Sequence, residues 1–413
     1  MKLVLYGISC SGKDTFINTF LTEHSCFKHI HGSKRLSEIS NEKYGADFQK
    51  LPAETQNNIR KAFVSKLTNM NNIIVDGHYC FPSDNEFETV FSDEDKNLYD
   101  VFLYLRVKPE DAHTRISVSD KNKKFKNLCI EEISQWQDKE ISELRDICFA
   151  DHKEFIVLDE DFNLNLQFLN LYISSYPKMT AIETARHIVS QIKEQASNSK
   201  KIALFDCDRT ITKEDTTIPF FELNNGHNKL LKEIFRGDVY TQYQFWRQQE
   251  LYKNFSVYPE IKQFTYNNCV LDKLELLKND GYSIFGLTAG IYNIWKQING
   301  EEDFFTNVIG NNLQADSVGI ITDFVKGYVV ELLQNDGYEV FSTGDSMCDI
   351  YMLEKTGGLI WAPEKVRPIV QKYIDVHSET KIMQYKNNPY KYKGITEVAQ
   401  CFIHLMNRLI IFL

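Results

Sequence analysis

Two aspartates one residue apart, Asp206 and Asp208, close the apolar run IALFD and are followed by Thr210 in FDCDRT. A carboxylate at a strand end can attack a phosphoryl group and form an acyl phosphate once the incoming negative charge is offset; Asp206 has that position. Asp208 can protonate the leaving alkoxide and then deprotonate the attacking water. Further on, Thr288 ends SIFGLT with Gly290 just beyond it, Lys326 is expected in a turn before the helix YVVELL, and Asp345 and Asp349 follow YEVFSTG. Mg²⁺ favours hard oxygen ligands and keeps several waters, so Asp206, the Asp208 carbonyl and Asp345 would suffice to hold it. Thr288 and Lys326 would bind the remaining phosphoryl oxygens, with Thr210 and Gly290 lining the same place. Asp349 would orient Lys326 or a water on the metal.

A second constellation opens the chain. Gly7 to Thr15, GISCSGKDT, approximates GxxxxGK[ST], a loop whose N–H groups and following helix N-terminus cradle phosphate while its lysine reaches the β and γ oxygens of ATP. Gly7, Ser11, Gly12, Lys13, Asp14 and Thr15 are thus candidate nucleotide ligands. Asp14 stands where a serine or threonine normally touches Mg²⁺. A carboxylate can hold the ion through water, but it adds negative charge near ATP, which leaves weak or altered ATP use open. Asp76 ends the run NNIIVD near the expected metal. Arg35, Arg106 and Arg115 are candidates to neutralise an acceptor phosphate, and the basic run from Lys121 either closes over phosphates or is a solvated loop. A hydroxyl acceptor usually needs a carboxylate base, whereas a phosphate acceptor is already a nucleophile. Residues 16–46 contain Glu23, Glu38 and Glu42 but no aspartate. That favours a nucleotide or other phosphorylated acceptor, unless Asp76 is the base.

The second-half motifs resemble the haloacid dehalogenase superfamily, in its phosphoserine-phosphatase-like branch: FDCDRT matches DxDxT, LTAG carries the strand-end threonine, Lys326 follows in order, and GDSMCDIYM matches GDSxxDxxM. In that branch a cap-proximal acid and a cap arginine grip an amino-acid substrate; Asp215 and Arg247 are similar in placement, although the family's acid is a glutamate. The first half, with GKDT, VDGHY and LRVKPEDAHTRI, resembles phage-type nucleoside monophosphate kinases and related small-molecule P-loop kinases.

These groups need elements to hold them. Short β-rich runs alternate with helix-length segments in both halves, as in parallel sheets with crossover helices, and ligands of such sheets bind beyond the carboxyl ends of the strands. The expected fold is α/β: two three-layer domains with mainly parallel sheets, a P-loop NTPase fold at 1–197 and a haloacid-dehalogenase Rossmann-like fold at 198–413, with a helical cap inserted at about 213–270. A length of 413 residues suits two or three domains. The net charge of −10 disfavours a nucleic-acid partner, though it leaves room for a local basic groove. Nine scattered cysteines without a CxxC pair indicate neither a zinc site nor a disulfide framework, so a cytoplasmic setting is expected. The apolar end FIHLMNRLIIFL is too interrupted for a membrane span and is read as a docking helix.

The expected function is bifunctional: Mg²⁺-dependent phosphomonoester hydrolysis through an aspartyl phosphate, and ATP-dependent transfer to a nucleotide or small metabolite. The alternatives are a polynucleotide 5′-kinase/3′-phosphatase and a phosphatase gated by a nucleotide-sensing P-loop domain.

Overall fold

The computed structural model describes residues 1–83, 86–119, 123–159, 161–196, 200–226, 228–311, 319–362, 365–377 and 382–386. The expected C-terminal docking helix lies outside them. In the first half the order is β1 (Lys2–Tyr6), α1 (Lys13–Glu23), β2 (Lys28–His31), α2 (Gly32–Tyr44), α3 (Ala53–Leu67) and β3 (Ile73–Asp76). A hairpin of β4 (Cys80–Ser83) and β5 (Glu86–Thr89), then α4 (Asp93–Leu98), leads to β6 (Val101–Leu105), α5 (Pro109–Val118), α6 (Ile130–Ala150), β7 (Glu154–Leu158), α7 (Phe162–Ser175) and α8 (Ala181–Gln195). The sheet order is β2-β3-β1-β6-β7, all parallel. Strands β6 and β7 are buried along their whole length, as expected of strands covered by helices on both faces.

The second half begins with β8 (Lys201–Phe205), followed by the inserted helices α9 (Thr217–Leu223), α10 (Asn228–Ile234) and α11 (Gln242–Tyr252). An antiparallel bridge between Thr212 and Tyr266 closes the base of this insertion. Then come α12 (Asn268–Asn279), β9 (Ser283–Ile291), α13 (Tyr292–Glu302), β10 (Asn307–Asn311), α14 (Asp323–Asn335), β11 (Glu339–Gly344), α15 (Ile350–Thr356), β12 (Leu359–Ala362), α16 (Pro368–Val376) and β13 (Met383–Lys386). The order β10-β9-β8-β11-β12-β13 is again wholly parallel. In both sheets the first strand is central, so the loop that follows it opens where the chain order reverses.

Alternation along β8 divides the hydrophobic interior. Ile202 and Leu204 point into a core that runs on through the first half, while Ala203 and Phe205 point into a second core with Phe220, Phe221 and Trp295. The first core does not stop at the linker. Phe149 at the end of α6 stacks on Tyr351 of α15, with ring centroids 3.7 Å apart, and on Tyr328 of α14. Arg145 donates through Nε and Nη2 to Asp323 at 2.9 and 2.6 Å in the buried seam.

Two sequence expectations change. Lys326 is not in a turn but in the first turn of α14, because Thr322 caps the helix by accepting from the Val325 N–H. Gly327, the next residue, is a close contact: a Cβ there would lie 2.6 Å from the Phe149 ring. The insertion also does more than cover its own sheet. Its α11 docks against β7 of the first half, where the Thr241 hydroxyl accepts from Val157 N–H and Gln244 donates to the Val157 carbonyl.

Candidate functional site

At the carboxyl end of the second sheet, β8 delivers Asp206 and β11 leads into Asp345 and Asp349. The Asp206 N–H donates to the Thr343 carbonyl at 2.9 Å, locking the two strand ends together. Lys326 Nζ donates to Asp206 Oδ1 and to Asp349 Oδ1, both at 2.7 Å, in complete burial. Thr210 Oγ1 donates to the other Asp206 oxygen at 3.1 Å. Asp349 Oδ2 is filled by the N–H groups of Asp345 and Ser346 and by the Ser346 hydroxyl. With both its oxygens engaged, Asp349 fixes Lys326 and the loop.

Asp208 accepts from Thr216 N–H at 2.7 Å and from the Trp295 indole at 3.1 Å. Thr288 is buried in β9 and accepts from Gly290 N–H at 2.9 Å. Asp215 faces Arg209 at 3.4 Å and accepts from Thr217 N–H at 3.1 Å where α9 begins. Burial pushes the carboxyls of Asp206, Asp208 and Asp345 upward; Asp349 adds to this at Asp206 and Asp215 at Asp208. Lys326 opposes the rise at Asp206, and Arg367 opposes it at Asp345. Burial works against the charge of Lys326, yet Asp206 and Asp349 hold its ammonium well above the usual lysine range. The oxygens of Asp206, Asp345 and Asp349 come within 4.8 Å of one another. A hard-oxygen set with more buried carboxylates than cations touching it fits Mg²⁺.

Arg247 does not join this cluster. Its guanidinium pairs with Asp159 of the first half and leans over Tyr243, because α11 faces β7. The expected substrate arginine is a link between the halves. Three neighbours were not singled out from the sequence: Arg367, which pairs with Asp345, Trp295 and Arg209. Arg367 stands at the N-cap of α16 and Trp295 sits within α13, neither with a strand-end signature, while Arg209 was in plain view inside FDCDRT.

At the first sheet the loop after β1 leads into α1, with Gly12 in the left-handed region at φ 95° as its N-cap. Lys13 Nζ folds back to the carbonyls of Gly7 and Ile8, and burial lowers its pKa to about 8. The Ser11 hydroxyl is buried without a partner, and Arg115 Nη1 reaches the Cys10 carbonyl at 3.4 Å. A buried hydroxyl without a partner, in a loop that also holds the Lys13 ammonium, fits a phosphate. Asp14 and Thr15 are exposed on the first turn of α1.

Asp76 sits between His29 and His31. Against the upward push of burial, His29 and the Gly32 N–H hold its carboxyl at about 2. Gly32 lets the α2 N-terminus come this close, since a Cβ there would stand 2.7 Å from the Asp76 carbonyl oxygen. Arg35 pairs along its own helix with Glu38, and Arg106 is held by Asp138 and the Arg236 carbonyl, so neither meets the loop. Of the basic run, Lys121 and Asn122 lie outside the described residues, and Lys124 rests over the Phe81 and Phe125 rings.

Residues 6–157 match the family described as AAA domain. Among solved structures, a phosphoserine phosphatase in a phospho-aspartyl intermediate analogue form is 20% identical, with 42% of this chain and 91% of that chain covered and a TM-score of 0.33. A phosphoserine phosphohydrolase-like protein from Francisella tularensis is 17% identical over 49% and 99%, with a TM-score of 0.32. Shikimate kinase from Bacteroides thetaiotaomicron is 14% identical over 42% and 98%, with a TM-score of 0.30. No curated protein matches the sequence. Among the described residues no helix is long and apolar enough to cross a membrane.

Proposed function

We propose that the chain carries two phosphoryl-transfer sites: a phosphomonoesterase at 198–413 and an ATP-dependent phosphotransferase of nucleotide or small-metabolite type at 1–197. The carrying observation is Lys326, fully buried and bridging Asp206 and Asp349 at the end of the central strand β8. A buried ammonium between two carboxylates leaves a net negative pair that an incoming phosphoryl group would meet only with further positive charge. Mg²⁺ held by Asp206, Asp345 and the Asp208 carbonyl would supply that charge. Asp206 would attack phosphorus and take the phosphoryl group as an acyl phosphate. Asp208, whose carboxyl burial favours in the protonated form, would give its proton to the leaving oxygen and then take one from the water that releases phosphate. Lys326 would steady the Asp206 carboxylate, and Thr288 and Gly290 would bind the phosphoryl oxygens. In the first half the loop N–H groups and Lys13 would cradle ATP phosphates, with Arg115 beside them. The test is phosphate release by the full chain from a panel of nucleotides, phospho-amino acids, sugar phosphates and 3′-phosphorylated oligonucleotides. Preference for a compact ester supports the reading; equal or better use of the long oligonucleotide supports end healing instead.

The seam between the halves favours one further reading, in which nucleotide at the P-loop gates the phosphatase. Helix α14 carries Lys326 and is anchored to Arg145 of the first half. Lys13→Ala separates the readings. Independent sites leave phosphate release unchanged, whereas gating lowers it.

A further inference from the structure

Strand β2 reads Lys28-His29-Ile30-His31, so both imidazoles share one face. Parallel pairing with β3 sets His31 level with Asp76, and the first turn of α1 brings Asp14 to the same place. His29 Nε2 stands 3.5 Å from Asp76 Oδ2; His31 Nδ1 stands 3.5 Å from that same oxygen and 3.6 Å from Asp14 Oδ1. These spacings exceed hydrogen-bond length. These three spacings come near the edge, roughly 3.4 Å, of a tetrahedron whose centre lies about 2.1 Å from each corner, the bond length of zinc to imidazole or carboxylate, and the four ligand atoms all lie within 4.8 Å of one another. The His29 side chain is 6% exposed, and apart from the 3.5 Å approach of Nε2 to Asp76 its ring nitrogens have no hydrogen-bond partner. A buried imidazole whose polar neighbour is a carboxylate oxygen at ligand spacing, and not at hydrogen-bond distance, is placed as a metal ligand is. Gly32 N–H occupies Asp76 Oδ1, which leaves Oδ2 to the histidines.

We propose that Asp14, His29, His31 and Asp76 form a binding site for a divalent first-row transition ion, of the zinc class and not magnesium, beside the phosphate-binding loop. Imidazole suits such ions, whereas Mg²⁺ demands an oxygen shell and dehydrates reluctantly. Asp14 and His31, 70% and 46% exposed, leave one side of the site open toward solvent, where water or a phosphate oxygen can complete the shell. This goes beyond the ATP reading and does not need it: the ion is measured without nucleotide, so either can fail while the other stands.

The experiment uses metal-stripped full-length protein in millimolar Mg²⁺, added to occupy the proposed oxygen-only site at Asp206 and Asp345. Co²⁺ is titrated by its visible absorption, Zn²⁺ by competition, and the Zn²⁺-loaded protein is examined by X-ray absorption. One equivalent with imidazole scattering is expected. His31→Ala, at a half-exposed position, should weaken Co²⁺ binding by at least about tenfold, since even the partners behind a ligand are worth that much. His29→Gln should do the same independently, and at one Zn²⁺ concentration the melting temperature of the wild type should rise more than that of either variant. Metal-free melts show whether each variant folds. Wild-type Co²⁺ affinity in both variants, or an oxygen-only shell, overturns the proposal.

Discussion

Asp206 and Lys326 hold each other's charge, so a change at either is felt by both. Asp206→Asn keeps the shape and removes the nucleophile. Phosphate release by the full chain should fall below about a hundredth of wild type, the low end of what a lost catalytic group costs; a larger residue of activity, measured on the best ester of the panel, would sink the assignment. At this scale the sequence was informative where chemistry is local. Asp206, Asp208 and Thr210 lie within five residues and follow one strand, so their convergence needs no knowledge of the fold. Arg367 reaches Asp345 from beyond β12, and Trp295 reaches Asp208 from α13. Neither residue type nor spacing betrays such a meeting. His29 and His31 did leave a signal, a His-x-His alternation, but β2 is short and half exposed and does not read as a strand. Arg247 shows the opposite error. Its place in the insertion suggested a substrate ligand, yet the face of α11 on which it sits is decided by packing against β7.

Helices α14 and α11 and strand β7 owe their placement to partners from the other half. The reason for Gly327, the Phe149 ring, lies far away in sequence and leaves no local signal. Phe149 cannot swing aside, being stacked between Tyr328 and Tyr351. Gly327→Ala should therefore cost about 1–3 kcal/mol through overpacking, more than the roughly 1 kcal/mol that alanine gains over glycine in a helix. Adding Phe149→Leu should recover part of this loss in a double-mutant cycle of melts; additive effects would contradict the contact. On β7, burial raises the Glu154 carboxyl to about 7 from 4.5, although Ala181 N–H and Tyr172 lower it. The neutral form therefore favours folding. That contribution is complete below pH 4.5 and gone above pH 7, a change of roughly 3 kcal/mol across the window. Melts of wild type and Glu154→Gln at pH 5 and pH 8 check it: the variant should gain relative to wild type at pH 8, and an equal difference at both pH values would refute it.

Over the whole molecule, two α/β sheets were visible in the rhythm of apolar runs, but their shared core was not, because nothing local marks which helix face meets a distant domain. Arg145 and Asp323 are both buried in that seam. Arg145→Ala would leave Asp323 as an uncompensated buried charge, at about 3–5 kcal/mol. With aromatic stacking and a continuous core across the linker, the halves should melt as one transition in calorimetry. Two well-separated transitions, one insensitive to Arg145→Ala, would show that the seam is weaker than its packing implies. The docking of α11 on β7 also bears on how the protein is made. Asp159 and its partner Arg247 are 88 residues apart, so at roughly 5–20 residues per second a nascent first half waits about 5–20 s for the helix that closes its last strand. Until then β7 presents open N–H and C=O groups, the template on which strands of neighbouring chains pair and aggregate. A fragment ending before the insertion would carry that open edge permanently.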